Sequence, residues 1–266
     1  MPLHISSTNN PRIKNLIALQ KAKERKLQNR FIAEGVREVS LAQSAGFKII
    51  AFYICESIYR QDPGYPIDFD QAESISLDAP VYSKIAYRDG SGGVVAEIEA
   101  KPHLLAALSE IANPLYLLLD RIEKPGNIGA MLRTADAAGI DAVILSDPIT
   151  DIYNPNVIRS SLGTVFTMPI AVVERTELIR WLSHRKVASY AASLQATKAY
   201  FDVDFSRPSA ILMGSESAGL SQDWENDCTD RIIIPMRGKI DSMNVSNSAA
   251  VIIFEAIRQR SRGKSV

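Results

Sequence analysis

The chain has 266 residues, enough for one large or two ordinary domains, and balances 30 basic against 30 acidic residues. No apolar run reaches the length of a membrane span, and the opening MPLHISSTNNPRIK has no apolar signal core. Two distant cysteines, Cys55 and Cys228, and three unclustered histidines exclude a disulfide framework and argue against a zinc site, so a reduced, cytoplasmic, metal-free protein is expected.

The balanced charge hides an asymmetry. Residues 1–50 hold nine basic and three acidic side chains, a net +6, whereas residues 51–110 hold four basic and ten acidic ones, a net −6. A basic N-terminal segment that includes Lys21, Lys23, Arg25 and Lys26 is a candidate face for phosphate. A solvated helix face is the plainer alternative.

In chain order, the spacing of Ile13, Leu16, Ile17 and Leu19 predicts a helix from Pro11 to about Lys26. A short strand at Phe31–Ala33, a helix Glu38–Ala45 closed by Gly46, and a strand Lys48–Ile54 follow. Tyr87 to Gly93 reads as a turn, and Val94–Glu99 alternates as a strand. Ala100 to Pro114 looks like a junction, giving domains 1–107 and 108–266. Strands are then expected at Leu115–Leu119, Ala142–Leu145, Thr167–Val173, Val187–Ser193, Ala210–Met213 and Arg231–Pro235. Helices are expected at Ile128–Ala138, Val157–Leu162, Thr176–Ser183 and Val245–Gln259. Short continuous apolar strands alternating with helices mean a buried, mostly parallel sheet, hence an α/β fold. The last helix is apolar nearly all round, which suggests a subunit interface as a second partner.

Three polar stretches come straight off these strands: DRIEKPGNIGAMLRTADAAG, ILMGSESAGLS and IIIPMRGKIDSMNVSNSAA. Strand ends of an α/β sheet are where ligands bind, so one composite site is expected. Arg133 is placed near the start of a helix, where the dipole disfavours cations, which suggests a waiting anion. Asn127 after Pro125-Gly126 could be an N-cap. Glu216 could cap the turn after it, and Ser242 or Asn244 should cap the last helix. GSESAG does not fit G-x-S-x-G, no P-loop is present, and GNIGAMLRTA is not a dinucleotide fingerprint.

At these loops the chain resembles the SpoU/TrmH family of SPOUT RNA methyltransferases. PGNIGAMLRTA, GSESAGLS, and IPM followed by SMNVSNSAA match its three motifs in order, over about residues 113–266. ISSTNNPRIKNLIALQKAKERKLQNRFIAEGVREV is similar to the small RNA-binding domain that precedes the catalytic domain in ribosomal-RNA members. The resemblance implies a smaller α/β RNA-binding domain followed by a SPOUT domain with a parallel sheet and a deep trefoil knot. It also implies a homodimer, S-adenosylmethionine as methyl donor and a ribose 2′-hydroxyl as acceptor, most readily in ribosomal RNA. Transfer RNA as substrate, an inactive RNA-binding member and a base-methylating SPOUT enzyme are the alternatives. By motif, Asn127, Arg133, Glu216, Ser242 and Asn244 fall on catalytic positions. Gly214, Ile234 and Met243 fall on cofactor positions, with Leu194 beside them, and Arg159 falls on a substrate-phosphate position. A guanidinium does not give up its proton near neutral pH. The role that fits Arg133 is therefore electrostatic, holding phosphate and a developing alkoxide.

Overall fold

The computed structural model describes residues 3–87, 92–215 and 219–261. The elements run β1 (Leu3–Ile5), α1 (Pro11–Ala18), α2 (Ala22–Gln28), β2 (Arg30–Glu34), α3 (Val36–Ser44), β3 (Ile49–Ile54), β4 (Glu73–Leu77), α4 (Ala79–Ile85) and β5 (Val94–Glu99). They continue β6 (Leu115–Asp120), α5 (Pro125–Ala138), β7 (Ala142–Ser146), α6 (Pro155–Ser160), α7 (Thr164–Thr167), β8 (Ile170–Val173), α8 (Arg175–His184) and β9 (Ala188–Ala192). The chain closes with β10 (Lys198–Ala199), β11 (Ser209–Met213), α9 (Gln222–Asp227), β12 (Asp230–Ile233) and α10 (Val245–Ser261).

The chain folds into two units. The first holds residues 1–102 and 151–167, the second residues 103–150 and 168–266. The single cut expected near residue 107 is therefore replaced by an excursion. The physical reason is aromatic. Tyr153 stacks on Phe31 at 4.1 Å and Phe166 packs edge-on against Phe47 at 5.2 Å, so residues 151–167 complete the first unit's core. Pro169 disfavours helix at the residue before it, which places the end of α7 and delays β8 to Ile170. The strand expected from Thr167 is shortened accordingly.

In the first unit the sheet order is β1-β4-β3-β5-β2. β1, β4 and β3 run parallel, while β5 pairs antiparallel with both β3 and β2. The single helix expected over Pro11–Lys26 is two helices. Lys21 takes an extended ψ of 134°, and α2 restarts after it. The break lets Arg25 turn inward, where it is 5% exposed. Its Nη1 donates to the Leu19 and Gln20 carbonyls at 2.9 and 2.7 Å, and its Nε and Nη2 hold the Asp151 carboxylate.

In the second unit seven strands run in the order β10-β12-β9-β11-β6-β7-β8, and every pair is parallel. β6, β7 and β11 are buried at every residue, as strands covered on both faces must be. Alternate side chains face opposite layers. Tyr116 and Leu118 of β6 join Ile144, Leu178, Leu182 and Trp224 in one core. α10 packs on α5 and β11 on the other side. Gly139, with φ +67°, ends α5 in the left-handed conformation that glycine adopts without strain. Arg260 fastens the far end of α10, donating to the carbonyls of Phe205, Asn113, Pro114 and Arg207 at 2.8–2.9 Å.

Candidate active site

A cleft of about 530 Å³ opens at the C-terminal ends of the second unit's strands. That is the size class of a small-molecule site. Its walls come from chain segments far apart in sequence. Ser193, Leu194 and Gln195 follow β9, Gly214 and Ser215 follow β11, Ile234 and Met236 follow β12, and Ser242, Met243 and Asn244 lead into α10. Of the residues matched by motif to a cofactor site, Leu194, Gly214, Ile234 and Met243 all line this cleft. Leu194, 60% exposed, forms its rim.

The loop after β11 is shaped by a backbone collision that only glycine avoids. Ser215 and Gly219 exchange two backbone hydrogen bonds of 3.0 Å. A Cβ built on Gly214 would lie 2.6 Å from the carbonyl of Gly219 and 2.8 Å from the Leu220 nitrogen. Glycine at 214 is thus required by the chain's own fold.

Asn244 caps α10. Its Oδ1 accepts from the Ser246 N–H at 2.9 Å and from the Ser246 hydroxyl at 2.6 Å. The same bonds fix its amide orientation, so Nδ2 is the group that donates to Asn127 Oδ1, at 3.2 Å. Two of the motifs, 117 residues apart, therefore meet through one hydrogen bond. Asn127 does not cap its own helix: α5 starts after Lys124, and Asn127 is its third residue. Ser242 lines the cleft, and its hydroxyl donates to Asp241 at 3.0 Å. Capping by Asn244 and its place in the cleft are compatible, because the cap sits at the strand-end crevice.

Arg133 departs from its expected setting. It is the ninth of the fourteen residues of α5, beyond the first turn where the N-terminal dipole acts, so the electrostatic argument for it does not hold. Six residues from Asn127, it projects about 120° around the helix and about 9 Å along it. It is exposed and not among the residues of the cleft wall. Glu216 lies outside the described residues. Arg159 belongs to the first unit, on α6, where its Nη2 donates to Asn156 Oδ1 at 3.0 Å. Of the four basic residues proposed for phosphate, Lys21, Lys23 and Lys26 are exposed, but Arg25 is not. Its donors are spent on Asp151 and two carbonyls, so Arg25 is structural.

At the end of β6 the structure adds a buried polar group that motif reading passes over. Asp120 ends β6 fully buried. The Ser146 hydroxyl donates to it at 3.0 Å, and Arg175 stands 4.0 Å away. Burial raises the Asp120 pKa above the ordinary carboxylate value, opposed by Ser146, the buried Trp224 indole and Arg175. Lys124 and Gln195 also line the cleft. Their signal in sequence was position alone: one precedes PGN, and the other follows a strand end.

The lining mixes apolar side chains such as Leu194, Met213, Ile234 and Met243 with the polar Lys124, Ser193, Gln195, Ser242 and Asn244, which suits a ligand with both apolar and polar parts. No group of three or more His, Cys, Asp or Glu able to hold a metal ion occurs among the described residues. No described helix is long and apolar enough to cross a membrane.

Residues 114–254 match the SpoU rRNA Methylase family, and residues 10–96 match the MRM3-like substrate binding domain. The 23S rRNA (uridine(2479)-2′-O)-methyltransferase of Streptomyces viridochromogenes is 31% identical over 88% of this chain and 85% of its own length. The 23S rRNA (guanosine(2553)-2′-O)-methyltransferase RlmP of Bacillus subtilis (strain 168) is 29% identical over 94% of this chain and 97% of its own. Among solved structures, the SpoU methyltransferase AviRb from Streptomyces viridochromogenes, in complex with the cofactor AdoMet, superimposes with a TM-score of 0.87. It is 29% identical over 96% of this chain and all of its own. An AdoMet-bound rRNA methyltransferase from Sinorhizobium meliloti gives 0.85 at 31% identity, over 96% of this chain and 97% of its own.

Proposed function

The chain belongs to the SpoU rRNA methylase family, and from that premise we propose that it methylates a ribose 2′-hydroxyl of ribosomal RNA with S-adenosylmethionine as donor. The observation that carries this reading is a cleft lined by residues of the second and third motifs, to which the first is tied by the Asn244–Asn127 hydrogen bond. The relatives named above modify a uridine and a guanosine. The shared framework is thus matched to the ribose, and base choice rests on other contacts.

S-adenosylmethionine, when bound, supplies an electrophilic methyl on a sulfonium. The chain's own residues do the rest. Leu194, Gly214, Ile234 and Met243 hold the donor through apolar contact and backbone, and exclude water. A ribose hydroxyl loses its proton as it attacks, and holding it in line is a large share of the catalysis. Asn127 and Asn244, locked to each other, and Ser242 position the acceptor. Arg133, which lies off the cleft of its own chain, stabilises substrate phosphate and the developing alkoxide at the cleft of a second copy, with Glu216 or Asn127 as its orienting partner. A phosphate oxygen or water takes the proton.

Arg133 stands on an open face of α5, beside α10, whose Phe254 is 51% exposed. Such a face suits a second copy of the chain, and a homodimer follows as part of the reading. A threaded C-terminal segment is part of it too. β12 lies beyond β9 in the sheet and α10 returns to α5 and β11, which supports the reading of a deep trefoil knot. The first unit, with exposed Lys21, Lys23 and Lys26, serves as the RNA-binding domain, and the protein works in the cytoplasm.

The test is transfer of tritiated methyl to 23S ribosomal RNA, followed by alkaline hydrolysis. A 2′-O-methyl blocks cleavage of its own linkage, so label in alkali-resistant dinucleotides is the expected result. Label in mononucleotides would move the methyl to a base. Absence of label with any RNA, in a protein that binds S-adenosylmethionine, would leave an inactive RNA-binding member.

A further inference from the structure

Tyr87 is an aromatic residue that the core does not use. It follows α4 in the first unit and remains 47% exposed. Yet it is held at three points. Its backbone N–H donates to the Glu34 carboxylate at 2.6 Å. Its hydroxyl accepts from Asn156 Nδ2 at 2.8 Å. The Arg159 guanidinium lies over its ring, 5.8 Å from the centroid.

The network orders itself. Arg159 Nη2 donates to Asn156 Oδ1 at 3.0 Å, so the Asn156 amide must turn its NH₂ toward Tyr87. The Asn156 backbone is tied as well, since the Ser160 hydroxyl donates to its carbonyl at 2.5 Å. Holding an exposed tyrosine and a long arginine in one geometry costs side-chain entropy. Little apolar burial offsets it here, because both side chains stay in contact with water. A rigid, exposed ring beside a guanidinium with N–H groups to spare is what unpaired RNA needs. Every base has a face that stacks, and the neighbouring phosphate accepts from arginine.

We propose that Tyr87, Asn156 and Arg159 form a platform for one unpaired nucleotide of the RNA, the Tyr87 ring stacking the base and Arg159 holding the adjacent phosphate. This rests on the RNA reading of the first unit. Asn156 is a positioning residue that aims the other two. The platform reads single-strandedness and not sequence, since stacking tolerates any base.

The experiment is fluorescence anisotropy on the full chain, using fluorescein-labelled oligouridylate and a fluorescein-labelled RNA duplex, with thermal melts to verify folding. Tyr87→Ala and Arg159→Ala should each weaken oligouridylate binding about tenfold, with duplex binding changed less than about twofold. Tyr87→Phe keeps the ring and should stay within about twofold of wild type. Arg159→Ala should also lower the salt slope by about one, while Tyr87→Ala leaves it unchanged. Wild-type binding by a folded Tyr87→Ala would overturn the platform. So would Tyr87→Phe losing as much as Tyr87→Ala, because the hydroxyl network would then be the whole effect. If the wild-type chain binds oligouridylate, duplex and 23S ribosomal RNA no better than it binds free fluorescein, the RNA reading fails along with the platform. If it binds and methylates RNA while Tyr87→Ala is unchanged, only the platform fails.

Discussion

Replacing Gly214 by alanine separates two explanations of one residue. If glycine is there for the ligand, Gly214→Ala harms only cofactor binding. If it is there for the fold, the apo protein suffers first. The added Cβ would meet the Gly219 carbonyl at 2.6 Å and the Leu220 nitrogen at 2.8 Å, both backbone atoms that cannot swing aside. Either the Ser215–Gly219 bridge opens or β11 shifts. Overpacking of this kind costs about 1–3 kcal/mol. At about 2 kcal/mol, a unit of this size should lose roughly 4–8 °C in Tm. Because Gly214 and Ser215 also line the cleft, S-adenosylmethionine affinity should fall by about tenfold or more, roughly 1.4 kcal/mol. Scanning calorimetry without cofactor and titration calorimetry with it give the two numbers. Gly238→Ala is the control, since a Cβ there meets nothing within 4 Å. An apo Gly214→Ala protein that melts with wild type would refute the backbone-collision argument, whatever happens to the cofactor.

Arg25→Ala should destabilise the first unit by about 3 kcal/mol in a denaturant melt, because it strands Asp151 and two carbonyls. Lys21, Lys23 and Lys26 changed together to Glu should instead leave the melt nearly unmoved and weaken RNA binding, with a flatter salt dependence; an unchanged salt slope would reduce that face to a solvated surface. Asn244→Ser can still cap α10 but cannot reach Asn127, so stability should hold within a few tenths of a kcal/mol. Methyl transfer should nevertheless fall, and equal losses of both would deny the Asn127 bond a separate role. Asp120, its pKa raised by burial, makes wild type gain stability as pH falls through its folded pKa toward 3.8. Asp120→Asn lacks that gain. Urea midpoints of the two proteins should therefore diverge in wild type's favour toward acid, and parallel profiles would count against a raised Asp120 pKa.

What the sequence determined by itself was local. Apolar runs at Leu115–Leu119 and Ala210–Met213 announce buried parallel strands because side-chain alternation does not depend on partners far away. The three polar stretches are legible for the same reason: a strand end, a turn and a helix start are written in consecutive residues. The second unit's sheet follows from that, and the resemblance of the stretches to a family picked out Gly214, Ile234 and Met243, with Leu194 beside them, all of which line the cleft. Tertiary structure decided everything that hangs on a distant neighbour. Arg25 looks like one more cation in a basic run until Asp151, 126 residues on, takes its charge. Tyr153 and Phe166 look like members of the second unit until Phe31 and Phe47 bury them in the first. Arg133 looks like a charge at a helix start until α5 is seen to begin at Pro125, two turns before it. Burial and partner choice depend on which segments meet in space, and neither composition nor periodicity encodes that meeting.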